Sequence, residues 1–304
     1  MLVLASFIMR SRWTAILVFT ICLGLSFNAL PVLIVACATI ALVALRNGPI
    51  EAIFVLLIGS ALTSAFAALG SAGTHMVQLV GIRVTITVVP VLIMATALRR
   101  SGNWGTVLAI AAVICGFWVS VVYSVLDSPA AWWTEQLEAT LTNVQGMATG
   151  PEAKQTIAQF APHMTGLLGG VLLLFCAVGL MLGRWFQSLL YNPGGFRKEF
   201  HALRLTRVHS LVLLGFVFVG WIAGDPLGGW ASDIGSVLIA MFIIPGIALA
   251  HVWANQLPFT TAALVGFYIA IFIVPHLAAA LGWMDSWLDL RSRWTQRPSN
   301  GADS

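Results

Sequence analysis

The sequence predicts an all-α fold, a polytopic bundle of eight or nine membrane-spanning helices with amphipathic helices at the membrane interface. Three observations predict it. Hydrophobic residues make up 59% of the 304 residues and charged residues only 9%, whereas a soluble globular chain has about 25% charged residues. The apolar residues form long runs, and the basic residues fall in short clusters between these runs. So much apolar surface needs lipid as its solvent.

Nine apolar runs account for the predicted spans. They cover 13–27, 30–45, 50–70, a run that ends at Arg99-Arg100, 104–126, 164–183, 208–224, 233–253 and 259–281. The first two are shorter than the roughly 20 residues that cross a membrane, so a thinned bilayer or a tight hairpin is expected there. Pro90 predicts a kink in the fourth run. A re-entrant segment at the first hairpin, or at Pro275 in the ninth run, would reduce the crossings to eight.

These runs predict a single membrane domain that spans residues 1–304. Hydropathy and charge divide it into six consecutive parts. They are five spans (1–126), an external insert (127–163), the sixth span (164–183), a basic cytoplasmic interfacial segment (184–207), the last three spans (208–283) and a polar tail (284–304).

The external insert, 127–163, is the longest polar stretch, and its charges are mostly acidic. Apolar residues recur at helical spacing between Ala130 and Val144, which predicts an amphipathic helix on the outer surface. Trp132 and Trp133 are the expected anchors of this helix at the membrane interface. The alternative is that the segment forms a lid over an external cavity.

The basic segment sets the predicted orientation. Its cationic residues, accompanied by the single acid Glu199, are Arg184, Arg197, Lys198, Arg204 and Arg207. Basic loops remain on the cytoplasmic side, so we expect this segment to form a cytoplasmic surface against anionic lipid headgroups. The other arginine clusters fall on the same side if nine spans alternate, which places the N-terminus in the cytoplasm and the protein in a bacterial inner membrane. The basic tail is then the misfit, because nine spans place it outside.

Chemistry-bearing motifs are scarce. The apolar runs contain almost no Asp, Glu, Lys or Arg, which argues against a proton pump and an aspartyl membrane protease, since both need acids at depth. The chain has no H-E-x-x-H, G-x-S-x-G or Walker A motif, and its four cysteines lie in apolar runs without a C-x-x-C pair. We therefore predict that the protein is not an enzyme, with no catalytic residue, no metal site, no cofactor and no ATPase of its own. The short basic clusters predict no nucleic-acid partner.

Four polar residues near the predicted helix ends are candidates for contact with a ligand or a partner: His209, His251, Asn255 and His276. His251 and Asn255 are four residues apart and share a helix face. Their alternative role is that of a helix end at the level of the headgroups. His276 follows a proline that breaks its helix, which is typical of a cavity wall, although helix packing also explains it.

The basic segment also carries a family resemblance. Its stretches Tyr191-Asn192-Pro193-Gly194-Gly195-Phe196 and Phe200-His201-Ala202-Leu203-Arg204 resemble the YybS-like family of bacterial membrane proteins. Similar stretches occur at Met9-Arg10-x-Arg12, Leu30-Pro31, Arg99-Arg100 and 285–291. The family is distantly similar to the substrate-binding S-components of energy-coupling-factor transporters. The resemblance implies a helical core with an outward-opening pocket, and ATPase and coupling subunits supplied by other chains.

Two functions from different classes follow as hypotheses. The first is a substrate-binding component for small-molecule uptake, with a pocket in the outer halves of spans six to nine and the Trp132–Trp133 segment as its cover. The second is a membrane scaffold or assembly factor that docks partner proteins through the basic segment. Intramembrane catalysis ranks third, because acids and nucleophiles are missing at depth.

Overall fold

The computed structural model describes residues 1–69, 73–145 and 150–291. Helices make up 87% of these described residues, which contain no strand, and this confirms the predicted all-α class. Within these ranges, five helical stretches are long and apolar enough to cross a membrane: Pro49–Ala68, Gly73–Ser101, Trp104–Val125, Pro151–Tyr191 and Leu227–Ala254. Two bent helix pairs raise the number to seven if each pair is one span. Eight or nine spans stays a prediction.

The helices in chain order are α1 (Leu2–Arg10), α2 (Arg12–Leu25), α3 (Val32–Arg46), α4 (Pro49–Ala68), α5 (Gly73–Arg83), α6 (Val89–Ser101), α7 (Trp104–Val125), α8 (Pro129–Gln145), α9 (Pro151–Phe160), α10 (Met164–Tyr191), α11 (Gly195–Ala202), α12 (Arg207–Ile222), α13 (Leu227–Ala254), α14 (Thr260–Ile273) and α15 (His276–Leu288).

Contacts divide the chain into two compact units. Unit 1 comprises Met1–Ala111 and Leu174–Leu203, and unit 2 comprises Ala112–Leu173 and Arg204–Ser304.

Helix α3 is the buried centre of unit 1. Its residues from Ala36 to Ala44 are almost fully buried, as expected for a helix that is apolar on every side. Helix α10 packs closely on it, because Gly183 lies where a larger residue has no room. A Cβ atom added at Gly183 would lie 2.6 Å from the Cβ atom of Ala41. Small residues at such contacts let two helix backbones approach.

The fourth apolar run forms α5 and α6 with a π-helical stretch at Val84–Val88 between them. Pro90 lies in the first turn of α6. Proline lacks an N–H group, and in a regular α-helix its ring collides with the carbonyl group four residues earlier. A local change to π-helical geometry accommodates this interruption. The structure therefore has a widened helical turn just before Pro90, and the predicted kink stays a prediction.

Helix α10 is longer than the sixth predicted span. It continues past Gly183 to Tyr191, so Arg184 lies within a helix instead of at the start of an interfacial segment. Phe186 and Ser188 on the same stretch are buried. The boundary moves because no helix-breaking residue occurs before Asn192-Pro193-Gly194-Gly195, and helix formation continues where the composition turns from apolar to basic.

Helix α13 is the buried centre of unit 2. Three glycines of α10 let it approach: Gly166, Gly169 and Gly170. A Cβ atom added at Gly169 would lie 2.8 Å from Cγ2 of Val237. The helix begins at Leu227, whereas the predicted eighth span begins at 233. This difference places Asp233 inside the helix.

The ninth apolar run forms two helices. α14 and α15 are bent by 110° relative to each other, because Pro275 has no N–H group to continue the hydrogen bonding of α14. α15 packs tightly on α13, and a Cβ atom added at Gly246 would collide with the carbonyl oxygen of Ala278. The contact between the two helices therefore depends on the missing side chain at Gly246.

The end of α15 lies beside the start of α12. Nη2 of Arg207 donates to the carbonyl oxygen of Trp287 over 3.3 Å. α12 and α13 run antiparallel, since a Cβ atom added at Gly220, near the end of α12, would lie 3.2 Å from the backbone nitrogen of Ser232, near the start of α13. α13 therefore ends, and α14 begins, on the side of unit 2 where Arg207 lies. α15 ends on that side too.

Candidate functional site

Asp233 is a carboxylate buried inside a long apolar helix. It lies about two turns after the start of α13, and only 1% of the residue is exposed. Its helix neighbours Ala231, Ile234 and Val237 are buried and apolar. Burying a carboxylate in such surroundings is unfavourable unless hydrogen bonds or an opposite charge compensate. The partners of Asp233 therefore decide what this site can do.

One carboxylate oxygen of Asp233 has a protein partner. The hydroxyl of Tyr123, on α7, donates to Oδ2 over 2.9 Å. The other oxygen, Oδ1, is buried and makes no well-formed hydrogen bond among the residues that the structure describes, although the backbone of Gly166 lies close to it. An ionised carboxylate oxygen accepts about two hydrogen bonds. Oδ1 therefore keeps unused acceptor capacity inside the protein, where the backbone of Gly166 packs closely against Asp233.

Close backbone contacts enclose this carboxylate. A Cβ atom added at Gly166 of α10 would lie 2.6 Å from Oδ1 of Asp233. Added at Gly229, it would lie 3.1 Å from the hydroxyl oxygen of Tyr123 and 2.9 Å from Oδ1 of Asp225. Asp225 accepts from the backbone N–H of Gly229 over 3.1 Å. The Tyr123 phenol thus lies near two carboxylates, one buried and one exposed.

Two indole groups fix the surrounding helices. Trp230 of α13 donates to Oγ of Ser120 on α7 over 3.0 Å. Trp133 of α8 donates to Oγ1 of Thr165, the residue before Gly166, over 2.9 Å. The helix predicted between Ala130 and Val144 is confirmed as α8, and its position on the outer membrane surface stays a prediction. Its tryptophan therefore contacts the part of α10 that packs against Asp233.

Trp132 has a different environment from its neighbour. Its residue is 39% exposed, and its ring centroid lies 4.6 Å from that of Trp133 in an edge-to-face arrangement. One tryptophan of the pair therefore faces outward while the other anchors α8 in unit 2. The lid role of this segment stays a prediction.

Arg83 in unit 1 is a charged residue in an apolar helical stretch whose guanidinium group has stabilising partners. Arg83 lies at the end of α5, within a long apolar stretch. Its Nη1 donates to Oγ of Ser26 over 2.9 Å, and its guanidinium carbon lies 4.0 Å from the ring centroid of Phe27. A hydrogen bond and a cation–π contact both stabilise this charge. The contacts of Arg83 therefore explain its position by structural stabilisation alone.

Three of the predicted polar candidates make contacts at helix ends. The backbone N–H of Thr206 donates to Nδ1 of His209 over 3.2 Å, which caps the start of α12. Nε2 of His251 lies 3.4 Å from the hydroxyl of Tyr268. Asn255 is the C-cap residue of α13. Their participation in ligand or partner binding stays a prediction.

His276 lines a separate cavity. This cavity, of about 210 Å³, lies between α12, α13 and α15. Its walls are apolar side chains such as Val217 and Ile239, apart from His276 and the indole of Trp283. Nε1 of Trp283 has no hydrogen-bond partner in the described part of the chain. His276 therefore lies on a cavity wall, whereas His251 and Asn255 lie one turn apart at the end of α13 and His209 lies at the start of α12.

Arg184 of the basic segment forms an internal ion pair in unit 1. Its Nε donates to Oε2 of Glu199 over 2.9 Å, and its Nη2 donates to Oε1. Nε1 of Trp104 also donates to Glu199, over 3.4 Å. Partial burial raises the pKa of Glu199, but the hydrogen bonds and charge of Arg184 and the indole bond outweigh this effect, so its pKa lies below the ordinary value. This pair holds α11 against α10.

The other cations of the segment differ in their partners. Arg204 pairs with Asp289 over 3.2 Å, and Arg207 donates to a backbone carbonyl at the end of α15. Arg197 and Lys198 are exposed on α11. Contact of this surface with anionic headgroups stays a prediction, and Arg197 and Lys198 are its most accessible members.

Sequence patterns alone did not select Asp233 and Tyr123. The predicted span starts at 233, which makes Asp233 a helix-end residue. A signal for the true start is present at Asp225-Pro226, because an acid followed by proline is typical of the residues just before a helix. Tyr123 has no such signal, since its role depends on a partner 110 residues away.

Comparisons of the chain with protein-family models, with curated proteins and with solved structures find no match. Among the residues described, no group of three or more His, Cys, Asp or Glu residues is arranged to hold a metal ion. The function proposed for this chain is therefore argued from the chemistry of the Asp233 site, a buried carboxylate beside a phenol.

Proposed function

We propose that this chain is a polytopic protein of a bacterial inner membrane that binds a small solute for uptake and uses an ATPase supplied by other chains. The observation that carries the proposal is Asp233, a buried carboxylate whose Oδ1 keeps unused acceptor capacity, in a helix long enough to cross a membrane. Ionisable groups at such positions mark substrate or ion sites by default. A buried carboxylate beside the Tyr123 hydroxyl favours a solute that carries a protonated amine or a comparable hydrogen-bond donor. Because Gly166 packs against Oδ1, we propose that α10 moves away from Asp233 when the solute binds.

The proposed orientation places this site near the outer surface. With the basic segment and the N-terminus in the cytoplasm, α12 runs outward and α13 returns. Asp233, near the start of α13, then lies toward the outside. We propose that α14 and α15 form a re-entrant hairpin, supported by the contact of Arg207 with the end of α15. This arrangement gives eight crossings and returns the basic tail to the cytoplasmic side, which removes the misfit of a nine-span arrangement.

The uptake proposal agrees with the expected resemblance to the YybS-like family and, more distantly, to S-components. In those transporters the substrate-binding chain works with separate coupling and ATPase subunits. The long helix α8 beside the site, with Trp133 bonded to Thr165, supports the proposal that the Trp132–Trp133 segment covers the bound solute.

The test compares solutes retained by the full chain and by two acid-to-amide variants, D233N and D127N. Asp127 is exposed between α7 and α8, so D127N removes a charge without touching the site. Each protein is purified in mild detergent, and the released small molecules are identified by mass spectrometry. We expect a solute that is retained by the wild type and D127N and lost from D233N. Absence of a retained solute, or equal retention by D233N, contradicts the proposal.

A second candidate is a scaffold that docks partner proteins. The observation that favours it is that Arg197 and Lys198 are exposed on α11, a short helix held in place by the Arg184–Glu199 pair. Purification from the native membrane, with mass spectrometry of everything that accompanies the chain, separates the candidates. A stoichiometric ATPase with its membrane subunit favours uptake. Other partners that disappear in an R197Q/K198Q/R204Q variant favour the scaffold.

A further inference from the structure

A cavity of about 550 Å³ lies in unit 1 at the junction of α1 and α2, beside the segment that joins α3 to α4. The polar residues that line it include Arg10, Arg12, Asn47 and Glu51, and the apolar residues include Ile8 and Val55. Small-molecule sites in proteins typically have volumes of about 300–1,000 Å³. The cavity is thus large enough for a headgroup-sized ligand, and it is distinct from the Asp233 site in unit 2.

The polar groups of this cavity are predominantly donors. Nη2 of Arg12 bonds to Oε1 of Glu51 over 3.1 Å, which engages one of the five N–H groups of that guanidinium. The side chains of Arg10 and Asn47 have no hydrogen-bond partner among the described residues. Two guanidinium groups against one carboxylate leave a net positive charge. The cavity therefore attracts an anion with several acceptor oxygens.

The apolar surroundings restrict the identity of that anion. α1 ends at Arg10 and exposes Leu2, Val3 and Phe7 on its surface, while Ala5 and Ile8 are buried against unit 1. A helix with exposed apolar residues and a basic end is typical of a segment that lies in the membrane interface. A ligand in the cavity thus has cationic donors at one end and an apolar helix surface beside it, which favours an anionic amphiphile over a free anion.

We infer that this cavity is a binding site for the headgroup of an anionic phospholipid. The phosphate oxygens accept from the guanidinium groups of Arg10 and Arg12, since guanidinium groups bind phosphate through paired N–H donors. Asn47 donates to the headgroup, and the acyl chains lie along the exposed apolar residues of α1. Glu51 orients Arg12 through their ion pair. The site selects a lipid with net negative charge, because a zwitterionic headgroup adds a cation to a cavity that is already positive.

The test uses the full chain in mild detergent with added phosphatidylglycerol or phosphatidylcholine of identical acyl chains, and native mass spectrometry of the retained lipid. Inorganic phosphate serves as the third probe. R10Q removes a cation that has no partner among the described residues, and R100Q is the matched control, since Arg100 is exposed at the end of α6 and outside the cavity. Melting temperatures of both variants verify that they are folded.

We expect the wild type and R100Q to retain phosphatidylglycerol in preference to phosphatidylcholine. R10Q should bind phosphatidylglycerol about fivefold more weakly than the wild type, because one arginine near an anionic headgroup contributes that factor to the affinity. Equal retention of the two lipids by the wild type overturns the inference without use of any variant. Equal affinities of R10Q and R100Q also overturn it. Inorganic phosphate that competes as strongly as phosphatidylglycerol indicates a site for free phosphate and overturns the lipid assignment.

Discussion

Arg291, just beyond the end of α15, forms an ion pair with Asp285 in the last turn of that helix, with Nε and Oδ2 3.0 Å apart. Only 12% and 1% of the two side chains are exposed. Nη2 of Arg291 also donates to the carbonyl oxygen of Pro245 in α13 over 3.3 Å. The pair therefore fastens the chain that follows α15 to the central helix of unit 2.

Substitution of Asp285 by asparagine is predicted to destabilise the protein by about 3–5 kcal/mol, because it leaves the Arg291 charge buried without its partner. D127N is the control, because Asp127 is exposed between α7 and α8 and lies outside this cluster of charges. Its effect should stay within about 0.5 kcal/mol, as is usual for substitutions of exposed residues. Thermal unfolding in detergent measures the stability of both variants relative to the wild type. Similar losses for the two variants would show that the burial of Asp285 does not matter.

Substitution of Gly246 by alanine is predicted to destabilise unit 2 by about 1–3 kcal/mol, since the added methyl group forces α13 and α15 apart at Ala278. The control is G266A on α14, where a Cβ atom meets nothing within 4 Å. There alanine should be neutral or gain about 0.5–1 kcal/mol, because it restricts the unfolded chain more than glycine does. Unfolding midpoints of the two variants provide the measurement, and a stable G246A refutes the close contact.

Acidification is predicted to weaken the contact between α10 and α11. The pKa of Glu199 lies below its ordinary value in the folded protein. Its ion pair therefore contributes stability that is complete above about pH 4.3, the ordinary glutamate value, and is lost as the pH falls through the lowered pKa. E199Q removes this contribution, so its stability should depend less on pH between about 3 and 5.

The control for that experiment is E135Q, which removes an exposed glutamate on α8. Unfolding midpoints are measured across the acidic range for the wild type and both variants. If E199Q keeps the pH dependence of the wild type, another group is responsible for it.

The proposed re-entrant hairpin of α14 and α15 predicts that the α13–α14 connection and the C-terminus lie on the same side of the membrane. Gln256 is exposed in that connection, so a Q256C substitution is accessible to a membrane-impermeant thiol reagent only from the cytoplasmic side. A reporter fused after the last residue should also report the cytoplasm. Opposite sides for the two positions would establish that α14 and α15 cross the membrane together.

The sequence by itself determined the helical class and most helix positions. Long apolar runs and their breaks at Asn28, Asn47, Asn192 and Asp225 are local features, and backbone groups in an apolar environment must bond within their own helix. For this reason α2, α3, α4, α7 and α12 differ from the predicted spans by only one or two residues at most ends. Pro275 likewise predicted an interruption, which the bend between α14 and α15 confirms.

Only the tertiary structure decided which polar groups are buried and with whom. Asp233 is a candidate site residue because Tyr123 and Gly166, which are far away in sequence, contact it in unit 2. The path of α15 depends on its contact with α13 at Gly246 and on Arg207. The physical reason is that hydropathy reports the average preference of a segment, whereas the partner of a buried oxygen or the direction of a helix after a bend depends on packing between segments distant along the chain.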